Sequence, residues 1–261
     1  MTEVRPPERG KGRLEPAREE RPAQRRERRF LEGPLRRREE LARVLRIAAE
    51  FIRGFRTLHF LPPAVTVFGS ARIPAGAPEY ESARRLGERL AEQGFTVMTG
   101  GGPGVMEGAN RGAYEAGGHS VGCNIVLPEE QAPNPYLHRF VEFRYFFVRK
   151  VMLVKYSCAF VALPGGFGTM DELFELLTLA QTGKIREFPI ALIGVAYWRP
   201  LLDFLRGTML PRGTIREEDL ALLTVSDDIE AVVRDIVDRT RQRFGIEPRP
   251  LLKPAAILGE S

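Results

Sequence analysis

FTVMTGGGPGVMEGANRGAYEAGG, residues 95–118, is the stretch that decides the fold. Phe95–Met98 is a short apolar run of strand type, and Val105–Ala116 repeats its apolar residues at helical spacing. Between them stands a turn of four glycines and a proline, Thr99–Gly104. Strand, glycine turn and helix in that order form one half of a βαβ unit. Working outward, the same alternation recurs. Ala64–Gly69 reads as a buried strand and Tyr80–Gln93 as an amphipathic helix closed by Gly94 in the left-handed conformation. Ser120–Leu127 is a strand, and Pro128–Pro135 a loop leading into the mixed segment Phe140–Phe147. Val148–Ser157 follows as helix, Ala159–Leu163 as strand, Pro164–Gly168 as a turn and Thr169–Thr182 as a helix ended by Gly183. Pro189–Val195 is a strand, Trp198–Met209 a helix and Asp228–Phe244 a last amphipathic helix. Short apolar strands separated by helices predict a doubly wound parallel sheet, a Rossmann-like α/β domain.

Before this domain, Leu41, Val44, Leu45, Ala48, Phe51, Ile52 and Phe55 form one apolar stripe, so Arg38–Phe60 is expected as a helix that Pro62–Pro63 terminate. Residues 1–38 are rich in Arg, Glu and Pro and lack the apolar content to fold, which predicts a disordered basic arm. The expected organisation is arm 1–38, domain 39–245 and tail 246–261. The net charge of +5 is concentrated in that arm, because residues 1–40 hold 13 basic and 9 acidic side chains. The folded body is therefore near neutral, and nucleic acid is not an expected partner. No apolar run approaches the ~18 residues of a membrane span, and the N-terminus lacks a signal peptide's apolar stretch. The two cysteines, Cys123 and Cys158, exclude a disulfide scaffold and point to a cytoplasmic protein. Three scattered histidines give no metal-ligand spacing, so neither metal nor cofactor is expected.

In a doubly wound sheet the ligand lies beyond the carboxyl ends of the strands. Two glycine turns fall there, TGGGPG (99–104) and PGGFGT (164–169), and the first strand ends in Gly69-Ser70. Glycines let backbone N–H groups converge on an anion, and the following helix adds its positive end. Two such turns suggest a phosphorylated ligand; the plain alternative is a pair of tight βα connections. Neither turn continues as a Walker A motif, and Glu107 stands where the dinucleotide pattern GxGxxG needs its last glycine. Gly118-His119-Ser120-Val121-Gly122 matches the GxSxG nucleophile pattern, but a helix precedes it and a strand follows, the reverse of a nucleophile elbow. Arg149-Lys150 open a helix whose dipole disfavours cations, a placement that calls for an anion unless both side chains reach solvent. Glu172 carries two readings. Thr169-Met170-Asp171-Glu172 is a T-x-x-E capping box, and Glu172 is equally a candidate catalytic carboxylate.

Pro164-Gly165-Gly166-Phe167-Gly168-Thr169-Met170-Asp171-Glu172 resembles the PGGxGTxxE signature of the LONELY GUY (LOG) family, with Arg149-Lys150 upstream of it. The stretch at 99–118 is similar to the bacterial branch of that family, and the resemblance covers about residues 62–240. It implies a Rossmann-like fold, assembly as homodimers or larger homo-oligomers, and hydrolysis of the N-glycosidic bond of nucleoside 5′-monophosphates, with AMP or cytokinin riboside monophosphates as substrates. By resemblance Arg149 and Glu172 carry catalysis. Gly69, Ser70, Gly101, Gly102, Gly104, Gly165, Gly166, Gly168 and Thr169 hold the nucleotide and its phosphate. Lys150, Thr178 and the loop residues Glu130 and Gln131 contact substrate. Many plant members read His-x-Arg-Lys where this chain has Phe147-Val148-Arg149-Lys150, a difference that bears on the base preferred. The family also carries an older lysine decarboxylase label; Lys150, Lys155 and Lys184 are available for a Schiff base, without the surroundings that pyridoxal phosphate uses. The fold also includes a molybdenum-cofactor carrier, so non-catalytic binding of a nucleotide or that cofactor is the alternative. The apolar runs Phe174–Leu179 and Val151–Val154 suggest a homodimer with its site near the interface.

Overall fold

The computed structural model describes residues 37–126, 132–185 and 188–245. Most of the expected arm and all of the tail 246–261 lie outside the described residues, while Arg37 and Arg38 open the first helix. In chain order the elements are α1 (Arg37–Leu58), β1 (Ala64–Phe68), α2 (Pro78–Glu92), β2 (Thr96–Thr99), α3 (Val105–Glu115), β3 (Ser120–Ile125), β4 (Arg139–Phe143), α4 (Phe146–Lys155) and β5 (Ser157–Ala162). There follow α5 (Phe167–Gln181), β6 (Ile190–Leu192), α6 (Val195–Phe204) with a π turn (Leu205–Met209), α7 (Glu217–Leu220), β7 (Leu223–Val225) and α8 (Ile229–Phe244). The sheet has seven parallel strands in the order β4-β3-β2-β1-β5-β6-β7.

Strand order reverses at β1, which pairs with β2 on one side (Val65↔Val97) and with β5 on the other (Val65↔Ala159). The central strands are buried on both faces, which is why they read as mostly apolar runs, with Thr66, Thr96, Thr99 and Ser157 as buried polar exceptions. On one face Val65, Val67, Val97 and Val161 pack against α2, α3 and α8 through Leu86, Leu90, Ala109 and Val232. On the other, Phe68, Met98 and Phe160 pack against α4, α5 and α6 through Met152, Leu173 and Trp198. The α2–α3 pair is unusually close, because a Cβ on Gly87 or Gly112 would run into the facing backbone at Ala109 or Arg84.

Three expectations change. The mixed segment 140–147 divides into β4 and the start of α4. The helix expected from Thr169 begins two residues earlier, with Gly166 as N-cap and no side-chain cap. Thr169 and Glu172 therefore sit inside the helix, and the capping box is not formed. Most of the α1 stripe faces away from the domain: Leu41, Val44, Leu45, Ile52 and Phe55 are exposed, whereas Phe51 packs against the core and Arg43, Glu50, Gly54 and Leu58 are buried. β7 and α7, of three and four residues, were too short to carry a period. Val151 and Phe174, from the two runs expected at a homodimer interface, are exposed.

Candidate active site

The loops after β1 and β5 meet where the strand order reverses, and Ser70 ties them together. Its N–H donates to Pro164 O at 3.0 Å, and its carbonyl accepts from Val105 N, the first residue of α3, at 3.0 Å. Gly104, with φ at +71°, is required here, since a Cβ would collide with Ser70 O. The 99–104 turn is held from beneath by buried polar groups. Thr99 Oγ1 accepts Gly101 N at 2.8 Å, and Asn134 Nδ2 donates to Gly102 O at 3.1 Å and to Asn110 Oδ1 at 3.0 Å. A buried network satisfied in this way is rigid.

A cleft of about 740 Å³ opens over this junction. Of the residues expected from the sequence, Gly69, Ser70, Gly102, Arg149, Gly165, Gly166, Gly168, Thr169 and Glu172 line it. Gly101, Gly104, Lys150 and Thr178 do not. The first two shape the turn, and Thr178 donates to Phe174 O at 2.8 Å two turns along α5. Glu130 and Gln131 lie outside the described residues. The first turn of α5 closes one wall. Its leading N–H groups have no intrahelical acceptor, no acidic side chain occupies that turn, and nothing stands within 4 Å of where Cβ atoms on Gly166 and Gly168 would be. Open N–H groups at a helix start are the kind of surface that receives an anion.

Arg149 and Glu172, 23 residues apart, meet beside it. Arg149 Nη1 lies 3.1 Å from Glu172 Oε1, and Arg149 Nε donates to the Cys123 carbonyl at 2.9 Å. Glu172 is 5% exposed. Burial pushes its carboxyl above the ordinary carboxylate range, against the pull of Arg149 and Lys150 in the other direction. The neighbouring cation turns away: Lys150 Nζ pairs with Asp171 at 2.8 Å and Glu175 at 3.0 Å. Burial works against the Lys150 charge, but these carboxylates outweigh it and raise the pKa. One helix thus sends one cation into the cleft and holds its neighbour in an ion-pair cluster on α5.

Other groups at the site carried no sequence signal. Tyr197 donates its hydroxyl to Gly165 O and lines the cleft, as do Phe146, Arg72 and Phe167, the last 96% exposed. Glu50 on α1, buried, accepts from Arg144 N at 3.0 Å and Tyr145 N at 3.4 Å, so it fixes the N-terminus of the helix that carries Arg149. Among the described residues, no group of His, Cys, Asp and Glu could hold a metal, and no helix is long and apolar enough to cross a membrane.

Residues 106–236 match a family described as "Possible lysine decarboxylase". The chain is similar to the rice protein "Probable cytokinin riboside 5'-monophosphate phosphoribohydrolase LOGL5", with 38% identity over 54% of this chain and 58% of that protein. It is also similar to the "Cytokinin riboside 5'-monophosphate phosphoribohydrolase" of Rhodococcoides fascians, with 30% identity over 67% of this chain and 89% of that protein. The chain spans 58% and 52% of the length of two rice relatives. Among solved structures, the molybdenum cofactor binding protein of Rippkaea orientalis shares the fold, with a TM-score of 0.50, 22% identity, and coverage of 68% of this chain and 96% of that one.

Proposed function

The chain belongs to the LONELY GUY (LOG) family, and on that premise we propose that it is a phosphoribohydrolase. Its reaction is hydrolysis of the N-glycosidic bond of nucleoside 5′-monophosphates, AMP or cytokinin riboside monophosphates, to free base and ribose 5-phosphate. The observation that carries this reading is the buried Arg149–Glu172 pair beside the first turn of α5, which has neither a side-chain cap nor an acidic side chain.

The 5′-phosphate sits on the first turn of α5, over Gly166 and Gly168, where there is room for its oxygens. The base lies toward the rim, against the rings of Phe146, Phe167 and Tyr197. Cleavage breaks the C1′–N bond, whose electron pair leaves with the base. Water adds its hydroxyl to C1′, and its proton ends on the base. Positive charge builds on the ribose ring as the bond breaks, and a buried carboxylate stabilises it. Glu172 is suited to that role, and its raised pKa brings it closer to neutral, where a carboxylate exchanges protons with water most usefully. Arg149 holds the carboxylate ionised and offsets negative charge arriving on the base. Lys150 does not favour the decarboxylase label, since a Schiff-base lysine must lose its proton and the Lys150 pKa is raised.

Incubation of the purified protein with AMP and with isopentenyladenosine monophosphate should release free base. Equal rates from the unphosphorylated nucleosides would contradict phosphate anchoring. Tight nucleotide binding with no base release over hours would favour the carrier.

A further inference from the structure

Three consecutive carbonyls lead into the first turn of α5, and each has a donor. Pro164 O accepts from Ser70 N at 3.0 Å, Gly165 O from the Tyr197 hydroxyl at 2.5 Å, and Gly166 O from Met170 N at 3.1 Å. The middle one differs in kind, because a side chain from another element, α6, holds it. In a planar trans peptide the carbonyl and the following N–H point in opposite directions, so this bond turns the Gly166 N–H away from Tyr197. The peptide joins two glycines, where a plane rotates against the least steric resistance. A flipped plane would put the Gly165 oxygen on the side now held by an N–H, and an oxygen there repels an anion. The hydroxyl is itself well supported. Gly194 and Val195, at the start of α6, donate their N–H groups to Asp227 Oδ1 at 2.8 and 2.9 Å, and Tyr197 N donates to Gly194 O at 2.9 Å. The adjacent Trp198 is buried, with its indole N–H on Ile193 O at 3.0 Å. Gly194 lies against the loop, since a Cβ on it would stand 3.0 Å from Pro164.

We propose that Tyr197 is a positioning residue for the phosphate: its hydroxyl fixes the Gly165–Gly166 peptide so that the Gly166 N–H joins the open N–H groups of α5 in receiving a phosphate monoester. This rests on the reading that the 5′-phosphate sits on the first turn of α5. Gly166 is exposed and lines the cleft, with no protein atom within 4 Å of where its Cβ would be, so the phosphate has room to approach that N–H. Holding the plane in advance removes the penalty that a flipping peptide imposes on its ligand. A plane flipped for about nine-tenths of the time would weaken phosphate binding about tenfold. The effect belongs to the phosphate alone, because a neutral nucleoside makes no use of that N–H.

Tyr197→Phe in the full chain tests this, because phenylalanine keeps the ring and removes only the hydroxyl. Binding of inorganic phosphate, read by calorimetry, should weaken about tenfold, and adenosine should bind both proteins alike. KM for AMP should rise by a similar factor with kcat little changed, the signature of binding lost equally from ground state and transition state. Gly166→Pro removes the N–H itself at a φ of −86°, close to proline's own range. It should weaken phosphate binding alone, and adding Tyr197→Phe to it should have no further effect. The proposal is overturned if Tyr197→Phe or Gly166→Pro leaves phosphate binding unchanged, or if phosphate and adenosine weaken together. It is overturned as well if the two substitutions act independently, which would put the hydroxyl on the phosphate directly, or if the unmodified protein binds no phosphate. The binding measurements do not depend on turnover. If neither protein releases base from AMP while Tyr197→Phe still weakens phosphate about tenfold, the hydrolase reading fails and the role of Tyr197 stands.

Discussion

Replacing Glu172 with glutamine removes a charge and little else. The amide keeps the size of the side chain and an oxygen for Arg149 Nη1, now 3.1 Å from the carboxylate. What is lost is the difference between a charge-assisted and a neutral hydrogen bond, about 1–2 kcal/mol. Against this, the amide is released from the desolvation that raises the Glu172 pKa. The two effects oppose each other, and the net change in stability should be no more than about 1 kcal/mol, a shift of roughly 2–4 °C for a chain of this size. Alanine would be a poorer probe, since breaking a buried ion pair outright costs about 3–5 kcal/mol and would confuse fold with function. If the carboxylate stabilises charge on the ribose or accepts a proton, turnover should fall by roughly 10²–10⁴. That is about 2.7–5.4 kcal/mol of barrier, well beyond the stability change. The assay is the initial rate of adenine release from AMP by the two proteins, with melting curves beside it. Turnover within a few-fold of the unmodified protein would refute the catalytic assignment.

The pH dependence follows from the same carboxyl. Its folded pKa is raised above the ordinary 4.5, so its contribution to stability is full below 4.5 and is lost as pH rises through the folded value. The melting temperature of the unmodified protein relative to Glu172→Gln should therefore increase on acidification, and the acid limb of its rate profile should fall above pH 4.5; a limb at or below 4.5 would assign the titration to another group. Gly165→Ala should disturb the anion wall, because its Cβ would run into Thr169 Oγ1, whereas Gly168→Ala meets no protein atom within 4 Å. Gly165→Ala should lower the melting temperature, and Gly168→Ala should keep it while weakening AMP binding, read by calorimetry. Glu50→Ala leaves the N–H groups of Arg144 and Tyr145 without their acceptor, which should cost about 1–3 kcal/mol in denaturant unfolding and lower kcat more than it raises KM. Glu50→Gln, which keeps an acceptor oxygen, should restore most of both.

The elements of the sheet were legible along the chain because they depend on neighbours in sequence. Val65–Phe68, apolar but for Thr66, and Ala159–Ala162 read as strands because they are buried on both faces, and the left-handed glycines Gly94 and Gly183 mark helix ends through their own backbone freedom. The glycine turns at 99–104 and 164–169, and the resemblance they carry, are local for the same reason. Arg149 and Glu172 could be named from that resemblance, but their pairing could not be read, since it depends on two helices 23 residues apart converging on one cleft. Nor could the division of labour between Arg149 and Lys150, which is set by the acids that α5 brings to Lys150 alone. The capping box at Thr169–Glu172 satisfied every local rule and did not form, because the helix begins at Phe167 and Arg149 takes the carboxylate. α1 shows the limit most plainly. Its period announced a helix, yet a period says only that one face is apolar. The face that turns inward joins Glu50, which accepts from the N–H groups of Arg144 and Tyr145, to Ile47, Phe51 and Leu58, and leaves Leu41 and Leu45 outside.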